Sequence, residues 1–137
     1  MSHSRWYWRI CGIAAALVNL VSCTDLCGNR ILSEMPAPGG TKRAVVFERD
    51  CGATTDFSTQ VSILSASEAA PREAGNVFIA EGDHGAVSNL SVGVRWDSPD
   101  HLVVVFPARA RIVQQQIQVK GVNIAYERTL DIPGAPH

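Results

Sequence analysis

The clearest pattern of apolar and polar positions lies between residues 90 and 96. Apolar side chains there alternate with small or polar ones: Leu90, Val92, Val94 and Trp96. A period of two places one face of a β-strand against a core and the other face in water. The same alternation at 58–65 and at 122–126 predicts two more strands of this kind.

Three further segments contain apolar runs: 43–50, whose last three residues are charged, 76–81 and 101–106. The run at 76–81 shows no alternation, which is typical of a strand that is covered on both faces or lies near the centre of a sheet. Trp96 and Phe106 fit core positions better than exposed ligand-stacking positions.

The segment 108–120 is ambiguous, because its three consecutive glutamines suit either a short helix or a strand. Ile117 and Val119 could both face inward in a strand, and we favour that interpretation. With it the chain has six to seven strands separated by Gly, Pro and Asp turns. This spacing predicts an all-β domain, either an antiparallel meander or a small sandwich.

The pattern also predicts boundaries. Residues 23–42 contain Pro36, Pro38 and a Gly-Gly pair, which favours a flexible tether. The β-domain then covers 43–130, and 131–137 is expected to form a flexible tail.

The composition of the chain limits the classes of partner and ligand that we expect. Twelve Lys and Arg against thirteen Asp and Glu give a net charge of −1. Without a basic excess the chain has no means of neutralising a phosphate backbone, so we expect no nucleic-acid partner. His84, His101 and His137 stand singly without ligand spacing, so we expect no metal and no cofactor.

The first 22 residues have the features of a secretory signal peptide. Arg5 and Arg9 precede a mostly apolar run at 10–21, and no acidic residue lies before it. A membrane-spanning helix needs about 20 apolar residues, and this run is shorter. We therefore expect a signal-peptide helix that is removed rather than a permanent anchor.

The sequence Leu20-Val21-Ser22-Cys23 resembles the lipobox of bacterial lipoproteins. The resemblance implies cleavage between Ser22 and Cys23 and lipidation of the Cys23 thiol, which would hold the protein on a membrane surface. Thr24 follows the lipidated position, and by analogy with Gram-negative sorting this favours the outer membrane, facing the periplasm. The alternative is an ordinary secretory signal whose cleavage site happens to precede a cysteine.

Two cysteines then remain for the mature domain, Cys27 and Cys51, because Cys11 lies in the signal. A disulfide is the expected state of such a pair in an oxidising compartment. Closing the loop between Cys27 and Cys51 lowers the conformational entropy of the unfolded chain, which in the loop-entropy description adds roughly 3 kcal/mol to the free energy of unfolding.

The stretch from Arg49 to Asp56 resembles an R-D-C-G-A-T-T motif of small uncharacterised bacterial proteins, which implies no activity. Asp50 and Asp56 could act as an acid–base pair if they faced each other across a cleft. A turn scaffold is the stronger interpretation, because Asp and Thr side chains beside a glycine satisfy turn amides. An intermediate hypothesis is a binding surface made by four residues: Asp50, Thr54, Thr55 and Asp56.

No nucleophile elbow, phosphate-binding loop or zinc-protease motif occurs in the chain. The leading hypothesis is therefore a lipid-anchored periplasmic β-domain that is not an enzyme and that binds an envelope component or an envelope protein. The alternatives are an inhibitor or immunity-type lipoprotein directed against a hydrolase or toxin, and a hydrolase that uses Asp50 and Asp56.

Overall fold

The computed structural model describes residues 27–52, 57–82 and 90–130, and within these ranges every regular element is a β-strand. Nine strands follow one another in these ranges: β1 (Gly28–Pro36), β2 (Lys42–Asp50), β3 (Ser58–Ser65), β4 (Phe78–Glu81), β5 (Gly93–Ser98), β6 (His101–Pro107), β7 (Arg111–Gln115), β8 (Gln118–Val119) and β9 (Val122–Thr129). The predicted all-β class is confirmed. No helix in the described ranges is long and apolar enough to cross a membrane.

The strands form two sheets. The first has the order β1-β2-β3-β4-β7 and is antiparallel throughout. The second has the order β5-β6-β9-β8, in which β6 and β9 run parallel to each other. The two sheets pack face to face, so the small sandwich is the observed architecture rather than a single meander.

The core lies between the sheets and follows from the alternation along each strand. Val46, Val61 and Ile63 of the first sheet are fully buried in one cluster with Leu102 and Val104 of the second. These residues occupy every second position of their strands, so the opposite side chains point to the outer faces.

Three aromatic rings fill one part of this core. The Phe78 ring centroid lies 5.0 Å from that of Phe106 and 5.8 Å from that of Tyr126. The Tyr126 hydroxyl donates a hydrogen bond to the Gln116 carbonyl at 2.6 Å. Burial disfavours the charged phenolate and raises the pKa of Tyr126 to about 12.

The strands predicted at 43–50, 58–65 and 101–106 match β2, β3 and β6. Residues 108–120 are extended, as we favoured, but they divide into β7 in the first sheet and β8 in the second. The chain crosses between the sheets there, and β9 returns parallel to β6. The described ranges therefore contain nine strands rather than six to seven. The predicted signal peptide (1–22) and the predicted tail (131–137) lie outside the described residues.

The prediction of a flexible tether over 23–42 is wrong for Gly28–Pro36, which form β1. This strand pairs with β2 along its whole length and lies at the edge of its sheet, where most of its residues are exposed. A bulge between Ile31 and Ser33 also shifts the pairing and breaks the alternation. The Gly39-Gly40 pair belongs to the turn between β1 and β2, and both glycines have positive φ angles.

Candidate functional site

The disulfide predicted between Cys27 and Cys51 is present and joins the residues flanking the Gly28–Asp50 strand pair. Beside it, a carboxylate oxygen of Asp50 accepts a hydrogen bond from the Gly52 amide at 2.9 Å. Gly52 has a φ of 107°, which favours glycine. Asp50 therefore helps to shape a turn, as the scaffold interpretation expects.

Several predicted site residues lie outside the described ranges. Among these are Ser22 and Cys23 of the lipobox, and Thr54, Thr55 and Asp56 of the possible binding surface. Of that surface, only Asp50 is placed. In the ranges that the structure covers, no group of three or more His, Cys, Asp or Glu residues could hold a metal ion.

A different feature stands out on the outer face of the first sheet. The chain between β3 and β4, residues 66–77, crosses this face without forming regular secondary structure, and we call it the strap. Val45, Phe47 and Leu64 point to the same outer face and are nonetheless buried. The strap and the side chains that hold it therefore help to cover a second, smaller apolar cluster.

Three consecutive strap carbonyls are held by two side chains of the sheet. The Asn29 amide donates to the carbonyl oxygens of Pro71 at 2.9 Å and Glu73 at 3.0 Å. Between them, the guanidinium of Arg49 donates to the Arg72 carbonyl at 3.0 Å and also to the Asn29 side-chain oxygen at 2.8 Å. Arg49 is only 6% exposed, so these hydrogen bonds are partly shielded from water.

The start of the strap is held by Arg43 of β2. Its guanidinium donates to the carbonyls of Ser65, Ala66 and Glu68 at 2.7 to 3.0 Å. The Glu68 carboxylate in turn accepts from the Ser65 amide at 3.0 Å and from Lys120 Nζ at 2.8 Å. The hydrogen bonds from Lys120 and from Ser65 lower the pKa of Glu68 below its usual range.

The end of the strap is held by amide side chains. The Gly75 amide donates to Gln60 Oε1 at 2.6 Å, and the Gly75 carbonyl accepts from Gln114 at 3.0 Å. The Asn76 side chain both accepts from the amide of Ile63 and donates to its carbonyl, at 2.9 and 3.0 Å. Asn76 thus satisfies the backbone of β3 where β4 no longer pairs with it.

An open cavity of about 310 Å³ lies between the strap and the end of β3. Its floor is formed by Ser62 and Leu64, and its walls include Arg72 and Glu73 of the strap. The Ser62 hydroxyl is buried and accepts a hydrogen bond from the Asn76 amide, so it is engaged in holding the strap. The arrangement offers fixed backbone and exposed charged side chains, which suits recognition.

The strap lies between the strands predicted at 58–65 and 76–81, but the sequence does not indicate what holds it. The anchors Asn29, Arg49 and Gln60 are far from the strap in sequence, and Asn29 lies in the segment predicted as a tether. The alternation in β3 predicts that Gln60 and Ser62 face water, and this prediction is wrong. Both are buried because the strap covers that face of the sheet.

No family model, curated protein or solved structure matches this chain.

Proposed function

We propose that this protein is a lipid-anchored domain of the bacterial envelope, facing the periplasm from the outer membrane, that acts by binding a partner and not by catalysis. The observation that carries the proposal is the strap. Its backbone is fixed by side chains of the sheet, while residues such as Ala70, Arg72 and Ala74 are exposed. Loops held on a rigid scaffold are where proteins commonly place binding residues.

The disulfide supports the envelope location. Disulfides form and persist in oxidising compartments such as the periplasm, and the Cys27–Cys51 bond is consistent with such a compartment. It also lies four residues after Cys23, a separation of at most about 14 Å in an extended chain. A lipid on Cys23 would thus hold the disulfide end of the sandwich close to the membrane surface.

The fixed backbone of the strap lowers the entropic cost of binding a partner. Ordering a flexible loop on association costs roughly 0.5–1.5 kcal/mol for each immobilised side chain, besides the backbone. In this protein the strap backbone is ordered before any partner binds. The side chains of Arg43, Asn29 and Arg49 donate hydrogen bonds to five carbonyls of the strap and to the Ser65 carbonyl just before it. The same feature favours a second candidate, an inhibitor or immunity-type lipoprotein, since inhibitors also present preformed loops.

Two experiments test the proposal. In the producing bacterium, radioactive palmitate should label the wild-type protein and the Cys11→Ala control, and should not label Cys23→Ala. Envelope membranes solubilised in mild detergent should yield the protein in a discrete complex larger than the lipoprotein alone. Palmitate labelling of Cys23→Ala would overturn the anchor at this residue.

Catalysis is tested separately on the purified lipoprotein. The Asp50 carboxylate is engaged by the Gly52 amide, which supports a structural role for it. We expect no turnover of peptidoglycan or ester substrates above that of Asp50→Asn. Robust hydrolysis that is lost in Asp50→Asn would contradict the non-enzymatic proposal and support the hydrolase alternative.

A further inference from the structure

We propose that Arg72 is the central contact residue of the strap and that it enters a carboxylate-lined pocket of a protein partner. This inference rests on the proposed binding function and goes beyond it, because it names the residue and the chemistry of the partner's site.

Arg72 occupies the middle of the best-held part of the strap. Its own carbonyl accepts from Arg49, and the carbonyls of Pro71 and Glu73 on either side accept from a single Asn29 side chain. The position of its Cα is thus fixed by three hydrogen bonds. An interface residue on such a backbone loses only side-chain freedom when it binds.

The Arg72 guanidinium has no hydrogen bond, ion pair or ring contact with any residue in the part of the chain that the structure describes. Every other arginine of the described ranges has at least one such interaction: Arg30, Arg43, Arg49, Arg95, Arg109, Arg111 and Arg128. A cation that stays exposed on an otherwise well-paired surface is available to a partner. Arginine is also among the residues most enriched at the energetic centres of interfaces.

The neighbouring strap residues leave Arg72 accessible. Ala69, Ala70 and Ala74 are small and exposed, so no large side chain obstructs an approaching surface. The guanidinium group presents a planar set of donors that matches a carboxylate in a two-point hydrogen bond. A pocket lined by Asp or Glu is therefore the complementary site.

One acidic residue of the strap favours a protein pocket over an extended anionic surface. Glu73 follows Arg72 directly in the sequence and is exposed. A lipid bilayer or a nucleic acid presents many anionic groups at once and would be repelled by this carboxylate, whereas a single pocket can accept Arg72 alone. The net charge of −1 agrees with this choice.

Photo-crosslinking in the producing bacterium tests the inference on the full chain. Benzoylphenylalanine is placed at Ala70 or Ala74 of the strap, and at Asn123 on the outer face of the second sheet as the control. We expect one discrete protein adduct from both strap positions and none from Asn123. Mass spectrometry of the adduct should place the crosslink in a partner segment that contains Asp or Glu.

Charge variants in the Ala74 crosslinking background then isolate Arg72. Arg72→Glu should abolish the adduct, Arg72→Ala should weaken binding of the identified partner by about thirty-fold, and Glu73→Gln should leave it intact. Arg72→Lys should retain part of the binding, since the charge remains. All these variants change exposed side chains, and circular dichroism verifies that each is folded.

The outcomes separate the two proposals. If the Ala74 adduct persists in Arg72→Glu, or if crosslinks arise only at Asn123, the protein binds a partner but the role of Arg72 is wrong. If the strap crosslinks only to lipid, the inference of a protein pocket is overturned. If no position gives an adduct, both the inference and the proposed binding function fail.

Discussion

Substituting Asn29 by alanine tests whether the strap is held as the structure indicates. The change removes the amide that donates to the Pro71 and Glu73 carbonyls and the oxygen that accepts from Arg49. The backbone pairing between β1 and β2 is unchanged, because only the side chain of Asn29 is removed. We therefore expect the strap to loosen while the sandwich stays folded.

The size of the effect follows from these three hydrogen bonds. Each contributes roughly 0.5–1.5 kcal/mol net, and the partly exposed ones lie at the lower end because water replaces them. We estimate that Asn29→Ala makes opening of the strap easier by about 2 kcal/mol. That difference raises the open population by about thirty-fold.

Limited digestion with trypsin measures this opening, because trypsin cleaves after arginine and Arg72 lies within the strap. When opening and closing are fast, the cleavage rate follows the open population. Asn123→Ala is the matched control, since it removes an exposed asparagine with one side-chain contact, to Gln118. Equal cleavage rates after Arg72 in wild type and Asn29→Ala would refute the proposed anchoring.

Three further outcomes are expected. Replacing Cys27 and Cys51 together by serine should lower the free energy of unfolding by about 3 kcal/mol in guanidinium titrations, and dithiothreitol should then have no further effect. Gly75→Ala should cost about 1–3 kcal/mol, because its Cβ would lie 2.8 and 3.0 Å from backbone carbonyls of β3 and β4, whereas Gly93→Ala meets nothing within 4 Å and should be nearly neutral. Ultraviolet titration of the processed chain, in which Tyr126 is the single tyrosine, should show ionisation near 12. Since that pKa is raised from 10, the stability due to the partly buried phenol is complete below pH 10 and should be lost as the pH rises toward 12.

Most of the central strands could be predicted from the sequence, because the alternation or apolar run that indicates each strand lies within the strand itself. The period-two pattern located β3 at 58–65 without error, and the apolar run at 101–106 located β6 within one residue. Strand β1 was missed for a physical reason. It is an exposed edge strand with a bulge, so it carries neither a buried apolar run nor a regular alternation.

The strap could not be predicted because its stability comes from long-range contacts. Asn29 and Glu73 are 44 positions apart, and Lys120 and Glu68 are 52 apart. Hydrogen bonds between side chains and backbone leave no periodic pattern in the sequence. The disulfide was predictable, in contrast, because only Cys27 and Cys51 remained once the signal and the lipobox were assigned.

Intact-mass spectrometry of the protein isolated from the envelope without reductant tests the central claim most directly. We expect a chain that begins at Cys23, carries acyl groups on that residue and lacks the two thiol hydrogens lost in the Cys27–Cys51 bond. An unprocessed chain of 14.7 kDa, or a processed chain without acyl groups, would contradict a lipid-anchored envelope protein.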